Sequence, residues 1–204
     1  MEAFLTGLLA GYGIAIPVGA IAILIVDVGL KHGFRPAFFA GAGAATADLL
    51  YAGLAVIGGT ALAGAIGAVD DALRIISALV LIVIALVGLR RVGDRGVTTE
   101  EPAYPTRNEL ARTYARFLGL TVINPTTIIY FGAVIIGLGV ANDMTAPQGI
   151  LFVVGAFLAS LSWQTLIATI GSVARHRLSP KARTVAVVFG NLVILAFAVL
   201  ILVR

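Results

Sequence analysis

Apolar residues occur in this chain as long, nearly unbroken runs, and polar residues gather in the short stretches between them. About 20 apolar residues wound as a helix cross the hydrocarbon core of a bilayer. By that measure the pattern predicts six membrane spans, over Phe4–Val28, Ala37–Ile66, Ala72–Leu89, Tyr114–Val140, Gln148–Gly171 and Thr184–Val203. Buried helices of soluble proteins keep a charged face, and these runs lack one. A membrane β-barrel is written as short segments of alternating polarity, and that alternation is absent. A helix satisfies every backbone polar group within its own segment. The expected fold class is therefore all-α integral membrane.

Composition agrees with the pattern. Of 204 residues 60% are hydrophobic and 12% charged, where a soluble domain carries about 25% charged residues. So little charge leaves too little polar surface for a globule in water, and the bilayer is the expected partner. The net charge of +4 does not point to nucleic acid, because the basic residues sit in short tracts between apolar runs rather than on one aromatic-studded face. The absence of cysteine removes disulfide scaffolds and thiolate metal sites. Met1, Glu2, Ala3 and Phe4 lack the basic start of a cleaved signal peptide, so the first run is read as part of the mature protein.

Charge placement sets an expected orientation. The first connection carries Lys31 and Arg35, the third Arg90, Arg91, Arg95, Arg107, Arg112 and Arg116, the fifth Arg175, Arg177, Lys181 and Arg183. Only Arg74 and Arg204 fall on the other side, which carries Glu2, Asp70, Asp71 and Asp143. The positive-inside rule then places loops one, three and five in the cytoplasm and both termini outside. The third connection, with Gly93, Gly96, Pro102 and Pro105, reads as a cytoplasmic linker. The expected organisation is a first three-helix repeat over residues 1–90, a linker over 91–113 and a second repeat over 114–204.

The two halves resemble each other. The first span contains Gly11-Tyr-Gly-Ile-Ala-Ile-Pro17 and the fourth Gly119-Leu-Thr-Val-Ile-Asn-Pro125. The second contains Gly41 to Asp48 and the fifth Gly155 to Ser162, each small residues around a polar one. The third and sixth are plain apolar runs. Three is odd, so the copies face opposite ways, giving two inverted repeats with Pro-interrupted helices 1 and 4, a recurring transporter plan.

A proline inside a helix frees the carbonyl one turn earlier, here near Gly13 or Thr121. A freed carbonyl can hold an ammonium or a water, and the N-terminus of the following half-helix favours a carboxylate; a zwitterionic amino acid carries both groups. A packing kink accounts for Pro17 or Pro125 taken singly, whereas the pair at matching depth points to function. Asp48 is the sharpest residue. Counted from Ala37 it lies roughly 16 Å into its span, near mid-bilayer, where a charge costs at least about 2.5–3.5 kcal/mol. It reads as a proton carrier or the partner of a substrate cation, against the plainer reading of a hydrogen-bonded structural acid.

Asn124 offers a donor and an acceptor at similar depth, and also suits a cap for the second half-helix. Asp27 reads first as an interfacial ion pair with Lys31, second as a gate. Trp163 and Gln164 lie near the middle of the fifth span, where a tryptophan is away from the interface belt and either packs or walls a cavity. Asn191 reads as an interhelical hydrogen bond. His32 and His176 read as solvated. The small ridge Gly7, Gly11, Ala15 and Gly19 suits close helix contact, whether internal or in a homo-oligomer. There is no phosphate-binding loop, metal-ligand spacing or nucleophile triad, so an ATP-driven pump, an enzyme, a cofactor and a resident metal are not expected.

The stretch from Gly7 to Gly59, with Pro17, the Gly-Leu-Lys-His-Gly turn at residues 29–33 and Asp48 in a Gly/Ala-rich helix, resembles the lysine exporter (LysE/RhtB) family. So do Asn124-Pro125, the segment Gly155 to Trp163 and the later Leu-Ser-Pro180-Lys181, so that the resemblance covers nearly the whole chain. It implies export of amino acids across the bacterial inner membrane, driven by the proton gradient or membrane potential, with Pro17, Asp48, Asn124 and Pro125 on the family's motif positions. One departure is that Ile16-Pro17-Val18-Gly19-Ala20 carries no polar side chain after the break where the family usually has Asn or Gln-Asn, which weighs against a basic amino acid as substrate. The expected function is secondary-active export of amino acids or related small polar solutes. Its rivals are a divalent-metal exporter, which needs several oxygen ligands where only Asp48 and Asn124 are placed, and a non-transporting scaffold, which leaves a mid-membrane aspartate unexplained.

Overall fold

The computed structural model describes residues 1–16, 19–67, 70–95, 105–124, 127 and 144–203. Among them the chain forms seven helices and no strand: α1 (Glu2–Ala15), α2 (Ala20–His32), α3 (Phe34–Gly67), α4 (Asp70–Arg95), α5 (Arg107–Val122), α6 (Ala146–Arg177) and α7 (Pro180–Val203). By length and apolar composition three of them can cross a membrane, or four if α1 and α2 count as one broken span.

The first apolar run is thus two helices, whose axes diverge by 78°. α1 ends at Ala15 with Ile16 as its C-cap, and α2 restarts after Gly19, which is extended at φ −116° and ψ −175° and brings no capping side chain. The first N–H groups of α2 have no partner within their own helix. α2 stops at Gly33, whose φ of 82° lies in the left-handed region open to glycine, and α3 begins at the next residue. α5 starts at Arg107, earlier than the Tyr114 read from hydropathy. Thr106 and Glu109 form a capping box there, and Leu110 and Phe117 bury one side of an otherwise charged first half. The part of the fourth expected span beyond Asn124 lies outside the described residues, apart from Thr127.

α6 organises the molecule. Its buried face runs Gly149, Phe152, Gly155, Ala156, Ala159, Ser160, Gln164, Ile167, Ala168 and Gly171, mostly small residues three or four apart. Its large apolar side chains, Ile150, Leu158, Leu166 and Ile170 among them, point outward. Small residues inside and large ones outside suit a helix whose surroundings are as apolar as its core, because association then depends on close van der Waals approach. α6 packs against α1, α2 and α3; α5 lies along α3, and α4 pairs with α7. A Cβ on Gly155 would be 3.0 Å from the Leu8 backbone nitrogen in α1, and one on Gly171 2.7 Å from the Val26 carbonyl in α2. Both halves of the broken helix therefore lie backbone-to-backbone on α6.

The charged connections meet at one end. The Arg175 guanidinium at the end of α6 lies against Gly33, and Glu109 at the start of α5 feels the charges of Arg112 and His32. Arg183 is buried and donates from Nη2 to the Arg175 carbonyl, closing the turn from α6 to α7. Asn191, expected to bridge helices, donates instead to the Val187 carbonyl of its own helix at 2.7 Å, and its side-chain oxygen fills the space left by Gly88 of α4.

Candidate functional site

The bend between α1 and α2 opens a cavity of about 50 Å³, lined by Ile14, Ala15, Gly19, Ile21, Ala22, Asp48, Thr121, Asn124, Thr127 and Gln164. A space of that size holds a few waters. Five elements converge on it: the end of α1, the uncapped start of α2, the middle of α3, the end of α5 and the middle of α6. One wall is apolar. The other carries a carboxylate, two carboxamides and two hydroxyls, which is a sparse set of polar groups in an otherwise apolar site.

Asp48 is 5% exposed. Its Oδ2 accepts a hydrogen bond from Ser160 Oγ at 2.6 Å, a bond that ties α3 to α6 at the level of the cavity. Gln164, one turn after Ser160 on the same face, is 7% exposed, and its Oε1 is buried with no hydrogen-bond partner. An unpaired buried carbonyl oxygen is unfavourable by about 1–3 kcal/mol, which makes Gln164 Oε1 a ready acceptor. Asn124 follows a loosened helix end, with Ile123 N–H on the Gly119 carbonyl at 3.1 Å and Asn124 N–H on the Thr121 carbonyl at 3.2 Å. Thr121 turns its hydroxyl back to the Phe117 carbonyl at 2.8 Å. Tyr51, one turn beyond Asp48 on α3, donates its hydroxyl to the Val122 carbonyl and so caps the end of α5.

Of the residues singled out from sequence, Asp48, Asn124 and Gln164 come together on the cavity. Pro17 and Pro125 lie outside the described residues. Trp163 is turned from the cavity, packed against the main core, with its Nε1 buried and without a partner. Asp27 lies toward the far end of α2, its Oδ2 paired with Lys31 Nζ at 2.7 Å as expected, and its Oδ1 buried without a partner. Ser160, Thr127 and Tyr51 were not singled out, and Thr121 was named only for a freed carbonyl, which here accepts from the Asn124 N–H at 3.2 Å. Ser160 lies four residues from Ala156 and from Gln164 on the small-residue face of its helix, where a serine reads equally well as a packing residue. For Tyr51 and Thr127 nothing in the sequence distinguishes them from ordinary helix residues.

Outside the membrane, Glu109 accepts from the Thr106 N–H at 2.7 Å and from its hydroxyl at 2.9 Å. These bonds, with Arg112 and His32 nearby, hold its carboxyl below the usual glutamate range. Among the described residues no three His, Asp or Glu side chains gather as a metal site would require.

Comparison with known proteins places this architecture. The chain is 29% identical over 164 residues, 78% of its length and 77% of the relative's, to the chemotactic transduction protein ChpE of Pseudomonas aeruginosa. No solved structure matches it. The family model described as LysE type translocator matches residues 13–204. That span takes in the last turn of α1, all of α2 and every helix after it, with the residues that line the cavity, and the chain belongs to the LysE type translocators, membrane exporters of small solutes rather than enzymes.

Proposed function

We propose that this protein exports amino acids or closely related small zwitterions across the bacterial inner membrane, driven by the proton gradient or the membrane potential. The observation that carries this reading is the cavity at the helix break, whose lining brings acceptors and the uncapped start of a helix to one space. Asp48 and the unpaired Gln164 Oε1 supply acceptors for an ammonium group. The uncapped start of α2 supplies backbone donors and the positive end of a helix dipole for a carboxylate. Asn124 and Thr127 complete the wall, and Asp27 with Lys31 stands toward the cytoplasmic end as a gate. A cavity of about 50 Å³ holds water rather than an amino acid, so the cycle includes a wider state.

The architecture is read as six spans in two inverted repeats, residues 1–90 and 114–204, joined by a cytoplasmic linker. Packing supports it: the broken helix α1–α2 of the first half lies on α6 of the second, and α5 of the second lies on α3 of the first. Loops one, three and five are assigned to the cytoplasm and both termini to the outside. A metal cargo fits less well, since hard cations take six or more oxygen ligands and the cavity offers one carboxylate.

The test uses purified protein in liposomes loaded with a mixture of amino acids under an imposed pH gradient, with wild type and Asp48→Asn side by side. Selective efflux that is lost in the variant is the expected result and names the substrate. Normal efflux by Asp48→Asn across a range of pH removes Asp48 from the mechanism. Silence of correctly inserted wild type toward every amino acid moves the cargo to another solute class.

A further inference from the structure

Hydroxyls in membrane helices ordinarily turn back on their own backbone, and several here do. Thr46 bonds the Ala42 carbonyl, Thr121 that of Phe117, Ser162 that of Ala159 and Thr165 that of Leu161, each within 2.9 Å. Ser160 departs from that habit. It is 0% exposed, yet it spends its proton across the helix interface on Asp48 Oδ2 at 2.6 Å. A carboxylate has two oxygens that can each take a proton or a cation. With Oδ2 engaged by Ser160 on the α6 side, Oδ1 has no hydrogen bond among the described residues, and Asp48 lines the cavity.

We infer that Ser160 is a positioning residue which keeps Asp48 Oδ2 as a permanent hydrogen-bond acceptor and confines proton and ammonium exchange to Oδ1. When a proton arrives from cavity water it bonds to Oδ1; Oδ2 becomes the carbonyl oxygen of the acid and still accepts from Ser160. The contact between α3 and α6 therefore survives both states of the acid, and only the cavity side changes. Without the hydroxyl the two oxygens are equivalent choices, and the carboxyl group is free to rotate about its own axis. The inference rests on Asp48 as the exchanging acid of the proposed function.

The experiment is infrared difference spectroscopy of the purified protein titrated with acid, which needs no substrate. The C=O stretch of protonated Asp48 is the band that disappears in Asp48→Asn. In Ser160→Ala that band moves to higher frequency, because its carbonyl loses a donor; in Ser160→Thr it returns to the wild-type position. Ser160→Cys, a weaker donor of nearly the same size, gives an intermediate position and serves if the alanine variant does not fold. A band at the wild-type frequency in the alanine or cysteine variant overturns the inference, whatever the transport assay shows. Retained transport by Asp48→Asn overturns the proposed function instead, and leaves the assignment of the hydrogen bond to the spectrum.

Discussion

A carboxylate taken out of water is unfavourable by several kcal/mol unless partners replace its hydration. Asp48 retains one serine hydroxyl and a few waters' worth of space. Among the described residues that is a sparse set of partners for a buried acid, which agrees with the exchanging role proposed for it. The same holds for Gln164, whose Oε1 is buried without a donor. If an ammonium supplies that donor, Gln164→Leu raises the half-saturating substrate concentration for efflux about tenfold, equivalent to about 1.4 kcal/mol, while the expression and fold of the protein stay unchanged. An unaltered half-saturation, measured in the same liposomes, would remove Gln164 from the binding site. Asp48, Asn124 and Gln164 were legible in the sequence because a polar residue in a 20-residue apolar run is conspicuous against its neighbours. Ser160 was not, because a serine among alanines and glycines reads equally well as a packing residue, and only the approach of α3 decides which it is.

Hydropathy locates helices but is blind to where an apolar run bends and where a charged segment becomes helical. Pro17 marked the break in the first run from sequence, but the 78° turn follows from tertiary contacts: α1 and α2 are each held against a different stretch of α6 through glycine. This gives α6 two seams, at Gly155 on the α1 side and Gly171 on the α2 side. Widening a seam exposes the cavity from that side. The chain has no native cysteine, so Thr121→Cys, placed in the cavity lining, reports access by itself. Added to that background, Gly171→Val is expected to speed thiol labelling from the cytoplasmic side and Gly155→Val from the outside. The same side responding to both variants would show that the seams are not separate gates. Hydropathy gave the apolar stretch from Tyr114 but not the helix start at Arg107, because Thr106, Glu109 and their capping bonds lie in a polar stretch that apolar counting passes over. The Glu109 carboxyl is held below its unfolded value, so its support of the helix start is present above the ordinary glutamate range and fades as pH falls through the lowered one. Amide exchange in the first turn of α5, corrected for its intrinsic pH dependence, should quicken over that interval in wild type. In Glu109→Gln it should be quick throughout. Thr106→Ala removes the other half of the box and loosens the helix start by about 1 kcal/mol.

At the scale of the whole molecule the charge asymmetry seen along the chain becomes a geometric one. Arg175 lies against Gly33, Glu109 feels His32 and Arg183 closes the turn onto α6, so the first, third and fifth connections share one end of the bundle. Hydropathy and charge counting reached the same grouping because insertion acts on those quantities directly. The proposed inverted repeat rests in the sequence on matched glycines and prolines, since two halves facing opposite ways need share packing positions rather than sequence. Its consequence is a parity: six spans return the chain to the side on which it began, and five or seven do not. Cysteines introduced singly at Glu2 and at Val203 should therefore both react with a membrane-impermeant thiol reagent applied to intact cells. Cysteines at His32 and Arg177 should react only after the inner membrane is opened. Labelling of Glu2→Cys and Val203→Cys from opposite sides would leave an odd number of spans, and with it no inverted pair of three-helix units. Labelling of both from the cytoplasm alone would keep the even count and the repeat but reverse the molecule, placing its most basic end where the positive-inside rule forbids it.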